Sequence, residues 1–233
     1  MRRTTFIRDS RSLAKLREVE TVTTESGRVY RVPGSHSDPV TGLYSYYSIT
    51  TILGNDPAKK RALAEWRARV AAAEAAARSK RASTRGSAVH SVMEKYVLGE
   101  DYEEPTNPVR ARAFRNLRDL IDCNLEEYHA VEAPLWSHLL ETAGRCDLVG
   151  RWNGRLAVID YKTADHEKDE AHVLDYFLQS TAYAIMFEER TGIPVPGVVV
   201  LIACDSGVAQ AFARPKSRYV RPLIEALEQR RPR

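Results

Sequence analysis

Residues 145–164, RCDLVGRWNGRLAVIDYKTA, restrict the fold more than any other stretch of the chain. Asn-Gly between two β-prone runs is the strongest short hairpin signal, because a type I′ turn needs positive φ at both central residues. A tight loop at Asn153-Gly154 fixes the register of both strands and sets Asp147 opposite Asp160. Directly opposed side chains share a sheet face with Cβ atoms about 4.5–5.5 Å apart. Two carboxylates at about 5 Å repel by roughly 3 kcal/mol at an effective dielectric near 20. A divalent cation held between them would remove that cost. Lys162, two residues past Asp160, points to the same face. A solvated hairpin face with scattered charges is the competing reading of the same residues.

The remaining pattern sets this hairpin in a sheet among helices. GRVYRV predicts a strand, and PGSHSDPVTG a loop rich in turn formers. After YSYYSITTILG and the turn at Asn55-Asp56-Pro57, a helix is expected over residues 58–82, since Ala, Arg, Lys and Glu favour helix. Leu63, Trp66 and Val70 would form its packing edge, with Lys60, Arg67, Arg78 and Arg81 along a basic stripe. A second helix near 84–98 stops at Gly99, and a third covers 107–128. Strands are expected near 130–137, 142–151 and 155–161. An amphipathic helix over 170–191 would turn Leu174, Phe177, Leu178, Ala182, Ile185 and Met186 to the core. GVVVLIA reads as a buried strand, VAQAFA as its partner, and a last helix follows Pro215. The class is therefore α/β, an α+β mixed sheet flanked by helices.

At 233 residues one domain is expected. Residues 1–57 would form an N-terminal extension with strand and loop, 58–83 the basic Ala-rich helix, 84–214 the core, and 215–233 a C-terminal helix and tail. The net charge of +4 says little, but residues 58–85 hold nine Lys or Arg against two Glu, a local +7 that leaves −3 elsewhere. Such asymmetry suits a polyanion, or an ordinary solvated helix. No Gly-rich phosphate loop is present, which argues against nucleotide-dependent chemistry. No apolar run reaches the roughly 18 residues of a membrane helix, and the N-terminus lacks the apolar segment of a secretory signal. Cys123, Cys146 and Cys204 have no paired spacing, so the expected setting is cytoplasmic, without disulfides or a membrane.

On the 84–98 helix, His90 and Glu94 lie one turn apart and share a face. A lone histidine there is more often structural; beside two carboxylates and a lysine it becomes a candidate third ligand. Gln179 and Tyr183 are likewise one turn apart on the long helix. In chain order these residues read G-x-x-x-H-x-x-x-E at Gly86, His90 and Glu94, then Asp147, then D-x-K at Asp160 and Lys162, then Q-x-x-x-Y at Gln179 and Tyr183. This order and spacing resembles the RecB-like branch of the PD-(D/E)XK nucleases. YYSITTIL at 46–53 and the basic helix containing Trp66 are further similar to the phage exonuclease and mitochondrial genome maintenance exonuclease group. The resemblance runs from about residue 46 to 185. Two departures stand out: Tyr47 occupies the place where that group often has proline before its S-x-T serine, and three cysteines cannot supply the four that iron-sulfur relatives use. No iron-sulfur cluster is expected.

The resemblance implies a restriction-endonuclease-like core and a metal-dependent DNA exonuclease acting on single-stranded or free ends. His90, Asp147, Asp160 and the Tyr161 carbonyl would hold Mg²⁺ or Mn²⁺, both of which accept oxygen ligands and tolerate an imidazole. Lys162, Asp160, Asp147 and Glu94 would form the catalytic set. Lys162 is expected to orient the attacking water rather than deprotonate it, since neighbouring carboxylates resist the lowered pKa that a base needs. Gln179, Tyr183, Ser48, Thr50, Arg67, Arg78, Arg81 and Arg85 would contact the substrate, and Tyr46, Tyr47 or Trp66 would stack bases. Two alternatives stay open: an endonuclease with the same site, and a catalytically silent module that binds DNA ends or a recombination partner. An intact His90, Asp147, Asp160 and Lys162 argues against the silent module.

Overall fold

The computed structural model describes residues 6–9, 18–33, 42–69 and 72–232, with the side chains of 72, 73, 75 and 77–83 outside the description. The elements run β1 (Ile7–Arg8), β2 (Glu20–Thr24), β3 (Gly27–Pro33), β4 (Leu43–Tyr47), α1 (Ile49–Gly54), α2 (Pro57–Arg69), α3 (Ala72–Leu98) and α4 (Pro108–Asn124). They continue with β5 (Leu125–Ser137), β6 (Thr142–Trp152), β7 (Arg155–Ala164), α5 (Leu174–Thr191), β8 (Gly197–Cys204), β9 (Ala209–Pro215) and α6 (Val220–Arg230).

Six strands form a central mixed sheet in the order β1-β5-β6-β7-β8-β9, and β2-β3-β4 form a small separate meander. The β1/β5 and β7/β8 pairs are parallel and the others antiparallel. Parallel neighbours need a crossover, and α5 supplies it between β7 and β8. Every residue of β8 is buried, because helices cover both faces. Its alternation sorts the layers: Val198, Val200 and Ile202 pack with Phe177, Met186 and Leu223, while Val199, Leu201 and Ala203 pack with Met93, Phe114 and Leu117. Thus α1, α5 and α6 lie on one face, and α3 and α4 on the other. No helix among the described residues is long and apolar enough to cross a membrane.

The Asn153-Gly154 turn has the two positive φ values its sequence predicts, 47° and 77°. The register it sets holds for five pairs, from Trp152–Arg155 to Leu148–Ile159. There the ladder stops. Asp147 and Asp160, expected as the next opposed pair, stand instead where β6 and β7 part company. Asp147 Oδ2 accepts the Tyr161 backbone N–H at 2.8 Å, taking the place of the carbonyl a continued ladder would present.

The Ala-rich region departs from expectation. Its described residues are helical as α2 (Pro57–Arg69) and as α3, which runs unbroken through Ser83 and Thr84 to Leu98. Strong helix formers before residue 83 carry the helix through the start expected near residue 84. No residue of α2 is buried, so the predicted packing edge is absent: Leu63 is 43% exposed and Trp66 half-buried, while Val70 lies outside the described residues. Two large apolar side chains in thirteen residues cannot form a burying stripe. Ionic contacts fix the root of α2 instead. Asp56 Oδ1 accepts the N–H groups of Ala58 and Lys59, Lys59 reaches Asp175 at 2.5 Å, and Arg230 spans Asp56 at 2.7 Å and Asp175 at 3.2 Å. The third helix ends at Asn124, since Leu125 already pairs in β5. Leu174, expected in the core, is 42% exposed in the first turn of α5.

Candidate active site

The parting of β6 and β7 leaves backbone groups of Tyr161 without strand partners, and the candidate site is built from the side chains that replace them. His90, projecting from α3, places Nε2 2.9 Å from the Tyr161 carbonyl and therefore donates there. Its Nδ1 then faces Asp147 Oδ1 at 3.4 Å and Glu132 Oε1 at 3.8 Å. Donor atoms of His90, Glu132 and Asp147 all lie within 4.8 Å of one another. They line an open cleft of about 530 Å³ together with Glu94, Arg28 and Arg145.

Asp160 and Lys162 stand behind this cluster, on the α5 side of the sheet. Asp160 is 1% exposed; its Oδ1 accepts from Gln179 Nε2 at 3.0 Å, and its Oδ2 pairs with the Lys162 ammonium. Gln179 also reaches the Tyr183 hydroxyl at 3.4 Å, so the one-turn pair on α5 orients Asp160. The ammonium lies 5.1 Å from the Tyr176 ring centre, a cation–π contact one turn earlier on α5.

The electrostatics are those of a pocket seeking positive charge. Burial opposes a charge on His90, but Asp147 and Glu132 outweigh it and lift the imidazole to about 10. Burial works against the Asp147 carboxylate too, and His90, with help from Lys162 and the Tyr161 N–H, still holds it below the usual range. Asp160 goes the other way, pushed up to about 6 by burial and by Asp147 despite Lys162. Lys162 is raised, since Asp160 and Asp147 overcome its burial, and so it stays an ammonium. Glu94 is raised by burial and then by Glu132 and Glu100.

The other predicted residues fall into distinct places. Glu94 lines the cleft outside the three-residue cluster. The Tyr161 carbonyl faces His90. Ser48 is buried and caps α1, its hydroxyl accepting the Thr51 N–H at 3.0 Å, while Thr50 is exposed beside it. Arg67 is exposed on α2. Arg85 is held by Thr163 at 3.2 Å, Asp205 at 2.5 Å and Asp165 at 3.0 Å, where it ties α3 to the ends of β7 and β8. The side chains of Arg78 and Arg81 lie outside the described residues. Tyr46 is buried with its hydroxyl 2.9 Å from His138, and Tyr47 is half-buried.

Sequence reasoning missed Glu132, Tyr176, Arg28 and Arg145. For Glu132 a signal existed: a lone acid inside the apolar run AVEAPLW. Its backbone sits at φ 44°, a left-handed conformation costing an unbranched residue about 1–3 kcal/mol. This local reversal inside β5 carries the carboxylate into the cluster. A second close tolerance lies at Gly144, where a Cβ would stand 2.6 Å from Cε1 of Tyr183. Gly144→Ala is therefore expected to displace Tyr183 and, through it, Gln179. The outcome is a loss of about 1–3 kcal/mol in urea unfolding; unchanged stability would show that Tyr183 moves freely.

The residues fit a divalent cation. One imidazole and two carboxylates converge, and the buried Asp160 Oδ2 has no hydrogen-bond partner beyond its ion pair. Hard oxygen donors with a single nitrogen suit Mg²⁺ or Mn²⁺. None of the curated proteins matches the chain. Residues 59–230 match the family described as the PD-(D/E)XK nuclease superfamily, a span holding α2 through α6 and every residue of the cluster. The mixed sheet, its flanking helices and this match agree, and the chain belongs to the PD-(D/E)XK nuclease superfamily.

Proposed function

We propose that the protein is a metal-dependent deoxyribonuclease of the RecB-like kind, hydrolysing phosphodiester bonds from single-stranded DNA ends. The observation that carries this reading is the convergence of His90, Glu132 and Asp147 in front of the Asp160–Lys162 pair. His90, Glu132, Asp147 and Asp160 would hold Mg²⁺ or Mn²⁺; a bound cation supplies an activated water and offsets charge at the phosphate.

The chain's own groups do the rest. Lys162 stays cationic, so it orients the nucleophilic water and opposes charge growing on the phosphate instead of accepting a proton. Gln179 fixes the Asp160 carboxylate, and Tyr176 holds the lysine head against its ring. Deep burial of Asp160 keeps bulk water from screening these charges. Glu94 stands where it can position an outer water. Exposed cations of α2 would follow the phosphates of an incoming strand. Dispersed thiols fit a reducing, cytoplasmic setting, and repair or recombination is the work such an activity serves.

End-labelled linear and circular single strands, each with Mg²⁺, Mn²⁺ or EDTA, test the reading. Metal-dependent loss of the linear strand alone is expected. Cutting of circles would make the protein an endonuclease, and intact DNA in every lane would leave a silent binding module. A second measurement addresses α2. Lys60→Ala with Arg67→Ala should flatten the slope of log binding constant against log salt by about 1.4, as for two single-strand phosphate contacts. An unchanged slope would return the helix to ordinary solvated surface.

A further inference from the structure

Arg28 lines the same cleft as His90, Glu132 and Asp147, yet it comes from the small meander and not from the central sheet. Its side chain is exposed and makes no hydrogen bond or ion pair among the described residues. The other arginine of the cleft, Arg145, is engaged by the Glu132 carbonyl and by Glu18. The Arg28 backbone, by contrast, is tightly held. Its N–H donates to Thr51 Oγ1 at 3.1 Å, and its carbonyl accepts the Ser48 N–H at 2.8 Å. Ser48 Oγ in turn donates to Thr51 Oγ1 at 2.9 Å, so the cap of α1 and the clamp on Arg28 are one network. Gly27 completes it: at φ +125° a Cβ there would lie 2.4 Å from Thr51 Cγ2, and only glycine lets the two segments approach.

A surface arginine with no partner needs no such fixing. A guanidinium that must meet an anion at a set place does, because holding its root lowers the entropy lost on binding. We propose that Arg28 is a substrate-binding residue that grips a phosphate of the nucleic-acid strand beside the cleaved bond, and that Ser48 and Thr51 are positioning residues for it. The guanidinium fork pairs with two phosphate oxygens at once, which an ammonium cannot do. This assignment rests on the nuclease reading for the identity of the anion.

The test uses a single-stranded oligonucleotide with the full chain, Arg28→Ala, Arg28→Lys, Thr51→Val, Thr51→Ser and the Arg28→Ala/Thr51→Val pair. Initial rates are measured in Mg²⁺, and binding by fluorescence anisotropy in EDTA across a salt series. Arg28→Ala should weaken binding about tenfold and lower the salt slope by about 0.7, raising KM more than it lowers kcat. Lysine should restore the slope but not the affinity. Thr51→Val should show a smaller loss, Thr51→Ser none, and the pair should be no worse than Arg28→Ala, because the threonine acts through the arginine. Cleavage and binding unchanged in Arg28→Ala would overturn the proposal and leave the nuclease reading standing. Wild-type chain that binds without cleaving, with binding lost in Arg28→Ala, would do the reverse. Absence of both binding and cleavage in the wild type would sink the two together.

Discussion

Asp160→Asn and Lys162→Ala should each slow single-turnover cleavage by about 10³-fold or more, with circular dichroism and oligonucleotide binding close to wild type. Asp160 is the most buried carboxylate of the site, fixed by Gln179 on one oxygen and by Lys162 on the other. The amide keeps the shape and the Gln179 contact but withdraws the negative charge that would hold a cation. The lysine change removes the ammonium that faces the reacting phosphate in the proposed mechanism. Each side chain meets α5 through one contact, Gln179 for Asp160 and Tyr176 for Lys162, while the apolar packing of α5 on the sheet stays intact, so neither loss should unfold the chain. Cleavage at the wild-type rate in either variant would mean that the chemistry happens elsewhere.

The same Asp160→Asn change should stabilise the metal-free protein, shifting the melting temperature upward by several degrees in EDTA near pH 8. Burial and Asp147 push the folded Asp160 carboxyl up to about 6, from 3.8 without those neighbours. A carboxyl raised by folding favours its neutral form, so its ionisation costs the folded state increasingly between about pH 4 and pH 6, and fully above. Asparagine resembles that neutral form. The two melting curves should therefore coincide below about pH 4 and separate as pH rises. His90, raised by its partners, contributes the opposite dependence: in the wild type its stabilisation is complete below about 6.5 and fades towards about 10. Saturating Mg²⁺ should close or reverse the gap, because the wild type, with one more carboxylate, gains more from binding the ion than the variant does. A variant less stable than wild type in EDTA at every pH would refute the electrostatic account of this carboxylate.

Much of this arrangement is legible in local chemistry. Asn153-Gly154 announces its turn and register, and the all-apolar GVVVLIA announces a strand covered on both faces. His90, Asp147, Asp160 and Lys162 are visible as charged or polar residues out of place in buried patterns. What escapes is whatever depends on the third dimension. The register predicts Asp147 opposite Asp160 but not the parting of their strands one pair earlier, where β6 pairs on with β5 and β7 with β8. Glu132 enters the cluster through one left-handed residue that no periodicity encodes. Arg28 arrives from a separate sheet, far away in sequence. The Ala-rich helices show the limit of propensity: it predicts helix correctly but says neither that α3 continues past residue 84 nor whether anything packs against α2.

One contact outside the cleft has a practical side. Arg230, in the closing turn of α6, clasps Asp56 at the start of α2 and Asp175 at the start of α5, the helix that also carries Tyr176 and Gln179. A purification handle fused hard against that turn, or a trimmed version lacking it, would tug on a keystone and not on a loose thread. Any assay of such a preparation would report the loss of the ties that seat α5 rather than a property of the side chains in the cleft.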